Sequence, residues 1–275
     1  MESEHSPIVC DPPALNSDTL HIWSGQLDVE AGLYHRLAAC LTPDERKRAE
    51  QFRFDTDRRR FTMARAVLRH ILAAYLDRAP HKIRFCYGPH GKPHLLSDES
   101  AAIQFNLAHS DGLALIALTE ERTVGVDLER IRPPLVTDAL AAATMSPVEL
   151  TLFRGLPPNE RVRLFFSIWT RKEAYLKAAG CGLSRRLDGI EVLPAATLDA
   201  DGRDQPQRVD GWIVRSLAPM AGYAAAVAVA VAKPTAGGPP RPAATGEPVD
   251  GFIRLVEHPW SGGIARPQVI DLGLR

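Results

Sequence analysis

Two stretches decide how this chain reads: Gly125-Val126-Asp127-Leu128-Glu129 and, downstream, Trp169-Thr170-Arg171-Lys172-Glu173-Ala174-Tyr175-Leu176-Lys177. The first is an apolar run with the look of a strand, so Asp127 and Glu129, two apart, point to one face. The second has helical spacing, so Glu173 and Lys177, four apart, also share a face. Three carboxylates drawn together around one point repel each other, and a bound cation is the usual relief. All-oxygen ligands suit Mg²⁺. Asp127, Glu129 and Glu173 are therefore the expected metal ligands. A magnesium site beside lysines points to chemistry on a phosphate or pyrophosphate.

Working outward, a strand is expected over 122–129, halted by Pro133-Pro134. Helices are expected at 136–143 and 147–154, the second announced by Ser146-Pro147-Val148-Glu149. A long helix over 159–179 opens at Pro157-Pro158-Asn159-Glu160 and ends at Gly180 and Gly182. Strands follow at 190–193, 211–217 and 223–232. Upstream, 21–27 reads as a strand. Thr42, Pro43 and Glu45 form the capping box of a helix running to about Phe52. Phe61, Ala64, Leu68, Ile71, Leu72 and Tyr75 mark the buried face of a helix over 57–76. Residues 82–86, 103–106 and 113–119 read as strands, with a breaker-rich turn at Gly88-Pro89-His90-Gly91-Lys92-Pro93.

The expected fold class is α+β: two halves of similar plan, each with helices packed on a small, mostly antiparallel sheet. They span 1–121 and 122–233, the second carrying the Mg²⁺ site. Residues 234–275 form a Pro/Gly-rich linker and a C-terminal extension. Phe252, Leu255 and Trp260 give that extension apolar weight, but the sequence assigns it no docking place. No residue-level repeat relates the halves.

Composition narrows the options. The chain has 275 residues, 45% hydrophobic and 24% charged, enough for a sizeable core. Its 33 basic and 33 acidic residues cancel, which gives no global case for nucleic acid or membrane as partner. None of the four cysteines forms a C-x-x-C pair, so zinc is not expected, and Cys40 and Cys86 read as buried thiols. No secretory signal opens the sequence, and the apolar run 221–232 is too short to span a bilayer. A cytoplasmic protein is expected.

Together these motifs resemble the 4′-phosphopantetheinyl transferases of the Sfp type, over roughly residues 40–232. The pairing of Gly125, Asp127 and Glu129 with Trp169, Lys172, Glu173, Ala174 and Lys177 carries most of the likeness. Leu41-Thr42-Pro43-Asp44-Glu45, Gly91-Lys92-Pro93, Phe105-Asn106-Leu107-Ala108-His109-Ser110 and Gly182-Leu183-Ser184 agree with it. Ala108 departs from a position where the family often has serine, which puts one phosphate hydrogen bond in doubt.

The resemblance implies a pseudodimer with coenzyme A bound between the halves. It implies transfer of the 4′-phosphopantetheine arm of coenzyme A to a serine of an acyl or peptidyl carrier protein, releasing adenosine 3′,5′-bisphosphate. Attack at a pyrophosphate phosphorus is governed by charge and positioning, which a metal and fixed cations supply. In family terms Glu173 is a catalytic residue that takes the serine proton; a water on the ion or Glu129 is the alternative base. Lys177 is expected on the same phosphates. Arg48 and Arg60 match basic residues that hold the ribose 3′-phosphate, and His109 one that contacts a coenzyme A phosphate. Lys92 and Pro93 are expected along the nucleotide. Lys172 is expected either on an acid or at the nucleotide, and Glu149 is expected as an accessory acid. A monomer serving secondary metabolism is expected, docking its carrier on an apolar strip over 135–156 that includes Leu135, Val136, Leu140, Met145, Leu150 and Phe153.

Each element has a plainer explanation alone. Asp-x-Glu is often solvated, Glu173 with Lys177 is often a surface pair, and Trp169 reads as core. Two other functions compete: a Mg²⁺-dependent nuclease, disfavoured by Arg130 after Glu129 and by zero net charge, and a non-catalytic coenzyme A binder, disfavoured by the intact acids.

Overall fold

The structure, a computed structural model, describes residues 12–96, 102–181, 185–193, 206–218, 220–231 and 268–271. Cys10, the Gly182-Leu183-Ser184 loop, the linker 234–248 and the apolar residues of the extension lie outside the described residues. The chain divides into two compact units. One comprises Met1–Gly88, Pro93–Glu120 and Gly251–Arg275; the other comprises Pro89–Lys92 and Glu121–Asp250.

In the first unit, β1 (Thr19–Gln26) leads to α1 (Ala31–Ala38), α2 (Pro43–Ala49) and α3 (Asp55–Leu76). A short hairpin of β2 (Phe85–Tyr87) and β3 (Pro93–Leu95) follows, then β4 (Ile103–Ser110) and β5 (Leu113–Glu120). Strands β4, β5 and β1 pair antiparallel, and β10 (Gln268–Asp271) adds to β1 with Thr19 opposite Asp271. The C-terminal segment thus contributes a strand, which its composition did not suggest. The core forms where Met63, Leu68, Ile71 and Leu72 of α3 meet Trp23, Phe105, Ile116 and Leu118 of the sheet.

Glu45 is the polar knot of this unit. It accepts from the Thr42 backbone N–H at 3.1 Å, closing the capping box of α2. It also accepts from Arg65 at 2.8 Å and Arg69 at 2.7 Å, both on α3. All three side chains are buried, so the carboxylate is compensated by two guanidiniums rather than by water.

In the second unit, β6 (Val124–Arg130) is followed by α4 (Asp138–Thr144), α5 (Pro147–Gly155) and α6 (Pro158–Ala179), then β7 (Gln207–Val209), β8 (Trp212–Leu217) and β9 (Tyr223–Ala230). The antiparallel sheet runs β6-β9-β8-β7, which leaves β6 at an edge. Phe165, Phe166, Ile168 and Leu176 of α6 pack with Trp212, Val214, Ala226 and Ala228 of the sheet. The small residues of β9 let α6 lie close to it. Trp169, half-buried at the margin of this core, stacks on Phe165 with centroids 6.0 Å apart.

Four local expectations are corrected. Residues 190–193 are not a strand: Val192 gives its N–H to Glu149 Oε1 at 2.8 Å instead of to a ladder, though Ile190 and Val192 are buried as an alternating strand would require. Residues 82–86 divide into a single 3-10 turn and β2. Cys86 is exposed, because β2 belongs to a two-stranded hairpin and not to the main sheet. Met145 and Phe153 of the supposed docking strip are buried in the core, while the exposed apolar side chains nearby are Leu135, Val148 and Leu152.

Candidate active site

Residues 125, 127 and 129 share one face of β6. Gly125 fixes what that face meets. A Cβ placed on it would lie 2.2 Å from the Ala174 carbonyl oxygen and 2.4 Å from the Ala178 nitrogen, both backbone atoms of α6. Only glycine lets strand and helix approach so closely. That approach lays Asp127 against the same turn of α6, where Lys177 Nζ stands 2.5 Å from Asp127 Oδ1. Asp127 is buried, its side chain 5% exposed, whereas Lys177 at 34% reaches solvent.

Two buried oxygens at this place, Asp127 Oδ2 and Glu173 Oε1, have no hydrogen-bond partner among the described residues. Burial raises the Glu173 carboxyl above the usual range; the charge of Asp127 and, more weakly, of Glu129 pushes it further, against the pull of Lys177. Unsatisfied buried carboxylate oxygens are costly, and the Lys177 ammonium beside Asp127 is one counter-charge here. Among the described residues no group of three or more His, Cys, Asp and Glu is gathered as a finished metal cage. Asp127 and Glu173 nonetheless fit a hard divalent cation: oxygen donors, excess negative charge and lone pairs without donors.

The other expected residues divide. His109 is exposed on β4, opposite Ala114. Pro93 opens β3 opposite Tyr87. Arg48 is exposed with its guanidinium 5.7 Å from the Phe61 ring centroid. Arg60 holds Asp28 with both prongs, at 2.9 and 2.7 Å. A phosphate would have to compete with that carboxylate for the fork.

Two lysines are held by protein groups. Of its two expected partners Lys172 takes the acid: it is buried, and its ammonium meets Glu149 Oε2 at 2.5 Å, Thr144 O at 2.7 Å and Leu187 O at 2.9 Å. Three acceptors use its three N–H groups. Glu149 is the matching structural acid. It closes the α5 capping box through Ser146 N–H at 2.8 Å and also holds Val192 N–H. Lys92 gives its ammonium to Val124 O at 2.9 Å and Lys177 O at 2.8 Å. Burial, with Lys177 nearby, lowers its pKa to about 8.

Glu45 and Glu149 were expected at helix starts, but the buried ion pairs they also make were not read from the sequence. The signal was present: Thr42-Pro43-Asp44-Glu45 and Ser146-Pro147-Val148-Glu149 place a glutamate at the same position of a proline-led helix. In each unit that glutamate binds a cation on the 22-residue helix.

An α+β fold carrying buried carboxylates and a lysine on one strand–helix crossing is suited to metal-assisted phosphoryl transfer. Residues 123–228 match the family model of the 4'-phosphopantetheinyl transferase superfamily, and residues 29–121 match that of the 4'-phosphopantetheinyl transferase N-terminal region. The 4'-phosphopantetheinyl transferase HetI of Nostoc sp. (strain PCC 7120) is 41% identical over 223 residues, which cover 80% of this chain and 92% of HetI. The 4'-phosphopantetheinyl transferase Sfp of Bacillus subtilis is 26% identical over 157 residues, 57% of this chain and 68% of Sfp. A solved holo-[acyl-carrier-protein] synthase of Thermotoga maritima covers 54% of this chain and 82% of its own at 17% identity, with a TM-score of 0.29, too slight a likeness to argue from.

The chain belongs to the 4′-phosphopantetheinyl transferase family. It is an enzyme that transfers phosphopantetheine from coenzyme A to carrier proteins. No helix among the described residues is long and apolar enough to cross a membrane.

Proposed function

We propose that the β6–α6 crossing is the phosphoryl-transfer site of this enzyme, with Mg²⁺ held by Asp127, Glu129 and Glu173. The observation that carries the reading is the pair of partnerless buried oxygens, Asp127 Oδ2 and Glu173 Oε1, beside the Lys177 ammonium. When bound, the ion neutralises pyrophosphate oxygens as charge shifts during the reaction.

The chain's own groups do the rest. The serine Oγ of the carrier forms a bond to the β-phosphorus of coenzyme A. The bond from that phosphorus to the bridging oxygen breaks, and adenosine 3′,5′-bisphosphate leaves with the electron pair. Lys177, partly exposed, turns its ammonium from Asp127 to a phosphate oxygen. Glu173 accepts the serine proton, directly or through a water. Arg48, Arg60, His109 and Pro93 are proposed for the nucleotide side of coenzyme A. Arg60 exchanges Asp28 for the 3′-phosphate, a dianion that fits the same fork.

The proposal extends to peptidyl as well as acyl carriers, to a monomeric cytoplasmic enzyme and to secondary metabolism. The two units are further proposed to be related by duplication. Their support is the recurrence of a four-stranded antiparallel sheet, a 22-residue helix and the buried capping-box glutamate.

Intact mass spectrometry of an apo-carrier incubated with coenzyme A, Mg²⁺ and this protein tests the reading. One phosphopantetheine arm is gained with the wild type, and the gain is lost with Glu173→Gln or Asp127→Ala. Full conversion by both variants refutes the assignment.

A further inference from the structure

Lys92 lies far from β6 and α6 in sequence, yet residues Pro89–Lys92 belong to the same compact unit as both elements. Its Nζ donates to two carbonyls that ordinary secondary structure leaves open. Lys177 O is in the last turn of α6, where helical carbonyls lack intrahelical donors. Val124 O is at the head of β6, an edge strand whose pairing to β9 uses only one side; the adjoining Thr123 O already accepts from Ala230 N. Between these two points Gly125 lies against the α6 backbone, leaving no room for a Cβ. A cation on the final carbonyls of a helix is also favoured by the helix dipole.

We infer that Lys92 is a positioning residue: it ties the head of β6 to the end of α6 and so fixes the register in which Asp127 meets Lys177 and Glu173. The inference rests on the metal-site reading above for its consequence, though not for its geometry. Lys177 offers its carbonyl to Lys92 and its ammonium to Asp127, so slippage at one end is transmitted to the other within a single residue. With Gly125 allowing contact but supplying no side chain to hold it, the ammonium is the lock on that crossing. Both of its bonds are charge-assisted, the stronger kind.

The test compares the full-length wild type with Lys92→Met and Lys92→Arg. Amide hydrogen exchange is measured first, with neither metal nor coenzyme A present. In Lys92→Met, exchange accelerates at least about tenfold at 123–127 and 174–181 while α3 keeps wild-type protection. Unchanged exchange at those positions overturns the inference. Steady-state turnover follows. The expected result is a kcat lower by about 10- to 100-fold, from a sub-ångström misplacement of reacting groups, with KM for coenzyme A within about twofold and partial recovery of kcat in Lys92→Arg. A raised KM at unchanged kcat overturns the inference in favour of direct nucleotide contact. Should Lys92→Met fail to fold, Lys92→Gln is read by the same two criteria. Asp127→Asn is run alongside: wild-type turnover there overturns the metal-site reading, while hydrogen exchange still decides the role of Lys92.

Discussion

Lys172 and Glu173 are neighbours in one motif with opposite fates. Their Cα positions differ by about 100° around the helix, so one enters the core and the other faces β6. Lys172 and Glu149 form a buried pair in which each satisfies the other, and removing one partner strands a charge. Lys172→Met is therefore expected to lose about 3–5 kcal/mol of stability in urea titrations, with KM for coenzyme A unchanged in the folded enzyme. A raised KM without loss of stability would restore Lys172 to the nucleotide. Residue identity singled out Asp127, Glu129, Glu173 and Lys177 as candidates, and the fold sets Lys177 against Asp127. Identity did not reveal which lysines were structural, because an ammonium bound to three protein acceptors and one bound to phosphate have the same letter. The groups around Lys172 come from Thr144, Glu149 and Leu187, spread along the chain, and only folding assembles them.

At the scale of elements, apolar spacing sustained over many turns was a good guide, even where the N-cap, Phe54 or Pro157, makes no side-chain bond. Helix α3 starts two residues before the expected position and ends where expected, and α6 starts one residue early. Helix α1 gave no such signal: it has eight residues, and only Leu37 is buried. The short strands β3 and β7, of three residues each, carry too little pattern to be read. The crossing of β6 and α6 makes a prediction of its own. Gly125→Ala inserts a methyl group where backbone atoms of Ala174 and Ala178 already lie within 2.4 Å, so strand and helix must separate. Turnover should fall by about 100-fold, and the thermal midpoint should drop, since neither partner of the clash is a movable side chain. Wild-type turnover in Gly125→Ala, measured by carrier mass shift, would mean that the close approach is not needed for function.

At the scale of the whole molecule, stability depends on buried titratable groups. In the first unit, burial holds His21 and His70 neutral, with pKa values of about 4. Because the folded pKa lies below the unfolded value of about 6.5, each histidine's contribution is intact above pH 6.5 and is lost as pH falls towards 4. Each is worth about 2–3 kcal/mol across that window. Urea midpoints should fall between pH 7 and pH 4.5, and the fall should shrink in His21→Phe; an identical slope in that variant would show that His21 does not drive it. The strand β10 shows how little of the long-range assembly composition can announce, since its partner β1 lies at the other end of the chain. At the proposed site, by contrast, the unpaired oxygens of Asp127 and Glu173 carry unfavourable charge that a bound cation would relieve. Electron paramagnetic resonance titration of Mn²⁺ into the full-length protein with coenzyme A present tests this most directly. One ion per chain is predicted, with affinity reduced at least about tenfold in Asp127→Asn and in Glu173→Gln; undiminished binding in both variants would contradict it.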